Sequence, residues 1–160
     1  MAFKHYTSFS LVFLATATIL LAGHAHGTKD LCQEADYKAL CRAVVKGLSE
    51  PHAALKPAIH LLIIESRRAF ELADKQGKSM NVPVCKQNFD DAIDNLQKCL
   101  KNLKNRDFPR LKINLSAALS DYMICDYAIT VSAFNNPISK NTALLSHMAS
   151  NCLYLSSLLH

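Results

Sequence analysis

The chain contains no tryptophan, only four glycines, and no pair of cysteines at Cys-x-x-Cys spacing. Each absence removes a class of function. A phosphate cradle needs a glycine-rich loop, which four scattered glycines cannot supply. A zinc ribbon or a thiol redox centre needs closely spaced cysteine pairs. Nucleic-acid modules place aromatics among basic residues, and no such run occurs. No serine stands in a nucleophile-elbow pattern. No stretch alternates apolar and polar residues long enough to make a half-buried strand. Nothing here calls for a cofactor or a metal.

What is present begins with a secretion signal. Lys4 and His5 form a short basic start, and Ser8 to Ala22 is almost wholly apolar. Gly23-His24-Ala25 follows as a small-x-small cleavage pattern, with Ala25-His26-Gly27 nearly as good, so residues 1–25 read as a signal peptide and 26–160 as the mature domain. The apolar run of 15 residues is shorter than the roughly 20 needed to span a bilayer. No second run is long enough, because Leu61 to Ile64 leads at once into Glu65, Arg67 and Arg68. The mature chain is expected to be secreted, free of the membrane, with the vacuole as the alternative destination.

Removing the signal removes Lys4 and no acid, so the net charge falls from +5 to +4. This mild excess suits a solvated surface and, more weakly, attraction to an acidic polysaccharide. The 135 mature residues make one domain with room for a proper core.

Four segments carry a helical apolar stripe. Ala53 to Asp74 presents Leu55, Ile59, Leu62, Ile63, Ser66, Phe70 and Ala73. Val84 to Leu103 presents Cys85, Phe89, Ala92, Ile93, Leu96, Cys99, Leu100 and Leu103. Pro109 to Phe134 presents Leu111, Leu115, Ala118, Leu119, Tyr122, Cys125 and Ile129. Thr142 to Leu159 presents Leu144, Leu145, Met148, Cys152, Leu155 and Leu159. Breaks fall at Gln76-Gly77-Lys78-Ser79 with Pro83, at Asn105 to Pro109, and at Asn135-Asn136-Pro137. Such short links make neighbouring helices antiparallel, which gives an all-α, up-and-down four-helix bundle. Leu31 to Gly47 reads as a separate short helical piece, hinged at Glu50-Pro51. Pro57 interrupts the first stripe, and since proline suits only a first turn, that helix is expected to start at Lys56.

The ionisable residues form no catalytic set. Asp90, Asp91 and Asp94 lie opposite the Phe89–Ile93–Leu96 stripe, beside Lys86 and Lys98. They read as a solvated helix face with an Asp94–Lys98 pair at i,i+4. His52, His60 and His147 are not at metal-ligand spacing and read as surface or capping residues. Asn114-Leu115-Ser116 is a glycosylation sequon inside an expected helix.

Six cysteines in an oxidising compartment are expected to pair, and 15 pairings exist. Cys32 and Cys41 enclose eight residues, and Cys85 precedes Cys125 by forty positions. Cys99 and Cys152 fall on core stripes. The stretches around these cysteines resemble the plant invertase inhibitor and pectin methylesterase inhibitor family in four places. Leu31-Cys32 through Leu40-Cys41 is similar to its opening cysteine pair. Cys85 to Leu96 resembles its Cys-x-x-x-Tyr-x-x-Ala-x-x-x-Leu helix. Asn114 to Ser120 resembles its Ser-Ala-Ala-Leu-Thr motif, and Cys125-Asp126 its Thr-Cys-Glu/Asp element.

This resemblance implies a four-helix bundle preceded by a short α-hairpin arm and stapled by Cys32–Cys41 and Cys85–Cys125. It leaves Cys99 and Cys152 as buried free thiols, with a third bridge across the bundle as the alternative. It implies no enzymatic activity. Its members dock one-to-one on a secreted carbohydrate-active enzyme and mask the active-site cleft, so the implied partner is a pectin methylesterase or an acid invertase. The chain departs from the pattern at Phe89, where tyrosine is usual, and at Ile124, where threonine is usual; the Cys41–Cys85 stretch is also somewhat short. It has no Pro-Lys-Phe triplet of the invertase-directed kind, which favours pectin methylesterase. Outside the resemblance, a secreted helical ligand-binding or structural protein is the competing class. The lipid-transfer spacings Cys-Cys and Cys-x-Cys are absent, and the stripes are narrow enough to cover one another.

Overall fold

Four of the five prolines open helices, and they set the boundaries of the bundle. The computed structural model describes residues 30–76, 81–131 and 137–160. The expected signal peptide, Gly77 to Ser79 of the first break, and Asn135-Asn136 of the third lie outside these residues. The helices are α1 (Lys38–Val45), α2 (Pro51–Lys75), α3 (Val82–Lys104), α4 (Phe108–Val131) and α5 (Pro137–Ser157). Pro51 and Pro137 are first residues of α2 and α5, and Pro83 and Pro109 are second residues of α3 and α4. A missing N–H costs nothing there, because the first four N–H groups of a helix have no partner within it. Asp107 caps α4, accepting from the Arg110 N–H at 3.2 Å. Lys46 and Gly47, both at positive φ, end α1.

Two boundaries differ from expectation. α2 runs from Pro51 straight through Pro57, not from Lys56. An interior proline costs ~3 kcal/mol. Ala54, Leu55, Ala58 and Ile59 are buried on either side of it, and each large side chain returns roughly 1.5–3 kcal/mol. Pro57 and Ala53, whose carbonyl it leaves without a partner, are both exposed to water. α5 begins at Pro137, five residues before the expected Thr142. Ile138 is fully buried there, while Leu144, expected in the core stripe, is 40% exposed and Leu145 takes the inward position.

The four long helices pack in a ring, α2 against α3, α3 against α4, α4 against α5 and α5 against α2, with no Cα within 8 Å across either diagonal. Neighbours are antiparallel. His52 at the start of α2 meets the Leu103 carbonyl at the end of α3 at 3.2 Å. Asn81, preceding α3, donates to the Ala128 carbonyl near the end of α4 at 2.6 Å. Tyr122 reaches through the centre, its hydroxyl 2.6 Å from that of Ser66, which also donates to the Leu62 carbonyl at 2.7 Å. The two buried hydroxyls thus satisfy each other in a core that could not otherwise hold them.

The arm lies against the bundle. It comprises turns at residues 31–34 and 36–37 and the single helix α1, which packs on α2 and α5. Leu31, Cys32, Ala35, Cys41 and Val45 are buried. Asn151 of α5 donates to the Tyr37 carbonyl at 3.1 Å and accepts from its N–H at 3.3 Å. The Tyr37 ring stacks on His147 with centroids 3.7 Å apart. Cys32 is joined to Cys41, and Cys85 to Cys125, with Cα–Cα distances of 5.8 and 4.5 Å.

Candidate functional site

α4 is the helix that does not fit a soluble bundle. Its core face is regular: Leu111, Leu115, Ala118, Tyr122, Cys125 and Ile129 are buried at alternating spacings of four and three. A bundle helix should then turn charged residues to water. α4 instead turns out Ile113 (66% exposed), Met123 (60%), Ile124 (49%), Tyr127 (73%) and Val131 (63%). Ser116 and Ser120, both exposed, fill the row between them. At 1.5 Å per residue the row extends roughly 30 Å, without a charged side chain on it. Scattered exposed apolar residues are ordinary on a protein surface, whereas an uncharged row with apolar side chains clustered at one end makes the outer side of α4 the candidate interaction surface. The sequence carried the signal, since Pro109 to Phe134 is apolar on both sides, but reading for the core stripe alone passes over the second one.

The two flanks of the row differ. On the α5 side it borders a shallow groove lined by Leu119, Met123, Asp126, Tyr127, Thr130 and His147, with Tyr37 of the arm at its rim. Asp126 accepts from the Thr142 hydroxyl at 3.0 Å, which fixes the start of α5. On the α3 side the border is polar. Asn95 donates to Asp121 at 3.2 Å, and Gln87 donates to Asp91 at 3.1 Å. Burial pushes the Asp121 carboxyl above the usual carboxylate range, and the neighbouring Asp91 charge adds to this. A raised folded-state value means that the native state holds this proton more tightly than the unfolded chain, so the group's contribution to stability falls as pH rises through that window. Asp121→Asn is therefore expected to stabilise the protein at pH 7 by less than about 1 kcal/mol, discounted for its exposure. That advantage should shrink as pH is lowered, in urea unfolding curves of both proteins. An advantage independent of pH would show that Asp121 is not the group responsible.

A model of the plant invertase/pectin methylesterase inhibitor family matches residues 28–155. The chain belongs to this family. Among solved structures it is similar to a mutant form of a pectin methylesterase inhibitor from Arabidopsis, with a TM-score of 0.74 and 14% identity, covering 83% of this chain and 97% of that one. A pectin methylesterase inhibitor from Arabidopsis thaliana gives a TM-score of 0.65, also at 14% identity, covering 86% and 98%. At this identity the likeness is one of fold. No curated protein matches the sequence. Members of the inhibitor family are not enzymes, and neither is this chain.

Within this inhibitor fold the remaining singled-out residues take structural places. Asp94 and Lys98 form no ion pair; nearby, Lys86 pairs with Asp74 and Gln87 donates a hydrogen bond to Asp91. Two exposed side chains gain little Coulomb energy in water and lose rotamer freedom when held together. His52 binds the end of α3 and His147 stacks on Tyr37, while His60 is exposed. No three His, Cys, Asp or Glu side chains among the described residues converge as a metal site. Asn114 lies half-buried in α4, one residue from buried Leu115. No helix among the described residues is long and apolar enough to cross a membrane.

Cys99 and Cys152 are free and buried. They sit on α3 and α5, which face each other across a diagonal where no Cα pair lies within 8 Å. A disulfide needs about 4.4–6.8 Å, so a third bridge would require backbone movement. Burial pushes both thiols up to about 12. Since the thiolate is the reactive form, the native protein is expected to take up no thiol label and the denatured, unreduced protein two, counted by mass spectrometry. Fewer than two labels after denaturation would mean that these cysteines are oxidised.

Proposed function

We propose that the mature protein, residues 26–160 after removal of a signal peptide at 1–25, is a secreted inhibitor of a plant pectin methylesterase in the cell wall. It acts by laying the outward row of α4 and its two flanks over the enzyme's active-site cleft in a one-to-one complex. The observation that carries this reading is the uncharged outward row of α4 on a member of an inhibitor family. The bundle suits the task physically. A stable interface takes about 800 Å² from each partner. Rigid helices held by two disulfides lose little freedom on docking, which leaves more of the contact energy as affinity. Apolar residues at the centre with Asp91, Asp121 and Asp126 at the margins match the usual arrangement of a dry centre and a polar rim. Rim charges are screened over about 10 Å in 0.1 M salt, so salt should alter association rate more than final affinity.

The test is a titration of purified pectin methylesterase, and separately of acid invertase, with the mature protein. Esterase activity should fall to a sharp end point near one equivalent while the invertase stays active. Block of the invertase alone would assign the chain to the other branch of its family. If neither enzyme responds, the inhibitory role does not extend to this chain.

A further inference from the structure

The positive charge of this protein is not spread over its surface. Between residues 98 and 112 stand six cations, Lys98, Lys101, Lys104, Arg106, Arg110 and Lys112, and one acid, Asp107. That segment carries +5, whereas the rest of the mature chain sums to −1. The fold gathers these residues at one end of the bundle, on the last two turns of α3, the connecting turn and the first turn of α4. All are exposed except Lys112, which is half-buried. Asp107 engages Arg110 at 3.3 Å; among the described residues the other five cations have no ion-pair partner within 4 Å. Two acids of the arm are already engaged: Asp30 pairs with Arg42 at 2.7 Å, and Asp36 accepts from Ser150 of α5 at 2.9 Å.

Lys98, Lys101 and Lys104 are three residues apart, so successive ammonium groups stand about 4.5 Å further along the α3 axis. Such a ladder, continued by Arg106 in the turn, offers regularly spaced charges to an extended polymer and no pocket for a small anion. Uncompensated like charges repel one another, and a polyanion relieves that repulsion while concentrating the protein along its length.

We infer that this basic end is a docking site for a carboxylated polysaccharide, a polyuronate chain, separate from the outward row of α4. The choice of a wall polyuronate over another polyanion rests on the secreted reading; the cation cluster itself does not depend on the inhibitory one. Bound in this way, the protein would be held on the wall polymer with most of the α4 row open to an enzyme working on the same polymer.

The experiment is co-sedimentation of the mature protein with insoluble polygalacturonate, with fully methyl-esterified polymer and with phosphatidylserine vesicles, at 50 and 300 mM salt. Binding should be confined to the polygalacturonate and lost at the higher salt. The variant K98Q/K101Q/K104Q should bind at least tenfold more weakly. K38Q/K75Q/K140Q, which removes the same charge away from that end, should change binding less than twofold. All six are exposed lysines outside the ion pairs, and a melting curve for each variant checks that it folds. Equal losses in both variants, absence of binding at 50 mM salt, or equal binding to the vesicles would overturn the assignment. No enzyme enters this measurement, so a failed inhibition assay leaves it intact, and its own failure leaves inhibition untouched.

Discussion

Replacing Met123 and Tyr127 together by glutamate is expected to weaken inhibition of pectin methylesterase at least ~100-fold while moving the melting temperature by only a few degrees. Both side chains project from α4 into water, at 60% and 73% exposure. Surface substitutions of this kind usually change stability by no more than about 0.5 kcal/mol. In a complex the same positions would be dry. Two carboxylates would then lose their hydration with no partner facing them, a cost of several kcal/mol, whereas a hundredfold loss needs only about 2.8 kcal/mol. Arg67→Glu is the control, because Arg67 is an exposed residue of α2, the helix diagonal to α4. It should inhibit like the unaltered protein. If the Met123/Tyr127 variant also inhibits normally, the outward row of α4 is not the docking surface, and its exposure has another cause.

Removing the Cys85–Cys125 bridge should cost more stability than removing Cys32–Cys41. The first closes a loop of 40 residues and the second one of 9. Chain-entropy arguments put these at about 3.9 and about 2.6 kcal/mol. The long bridge ties the first turn of α3 to the last turns of α4, at two fully buried positions. Against a typical total stability of about 5–15 kcal/mol, the C85A/C125A protein should unfold at a markedly lower urea concentration. C32A/C41A should lose less and keep the bundle, because the arm is also held by Asn151 and by the Tyr37–His147 stack. A reversed order would mean that the arm, not the α3–α4 staple, controls cooperative unfolding. Non-reducing peptide mapping of the unaltered protein supplies the connectivity on which both variants depend.

The stripes were legible because burial in a bundle is periodic. Leu55, Ile59 and Leu62, or Leu111, Leu115 and Tyr122, recur at helical spacing, and the structure buries all of them. The prolines were legible as breaks. Pro57 was misleading, because a local rule about hydrogen bonding competes there with burial on both sides of the residue, and burial outweighs the lost hydrogen bond. Leu144 was misleading for a related reason. Leu144 and Leu145 stand about 100° apart around the helix, and the rotation of α5 against α4 and α2 turns only Leu145 inward.

The all-α class, the number of long helices, the division of residues between core and surface on three of them, and the family to which the chain belongs could all be read before folding was considered. The class and the stripes follow from local periodicity, and the family from short motifs that resemble its own; neither needs knowledge of neighbours. That the outer side of α4 has no helix to cover it emerged from the packing of the bundle. That packing likewise decided that Ser66 and Tyr122 meet across the centre, and that Cys99 and Cys152 stand too far apart to join. The gathering of six cations at one corner was also its doing, since charges spread over fifteen residues of sequence become one surface when an antiparallel turn folds them back. The reason is common to all four: whether a side chain is covered, paired or crowded depends on what another helix places opposite it, and the sequence of one helix does not contain that information.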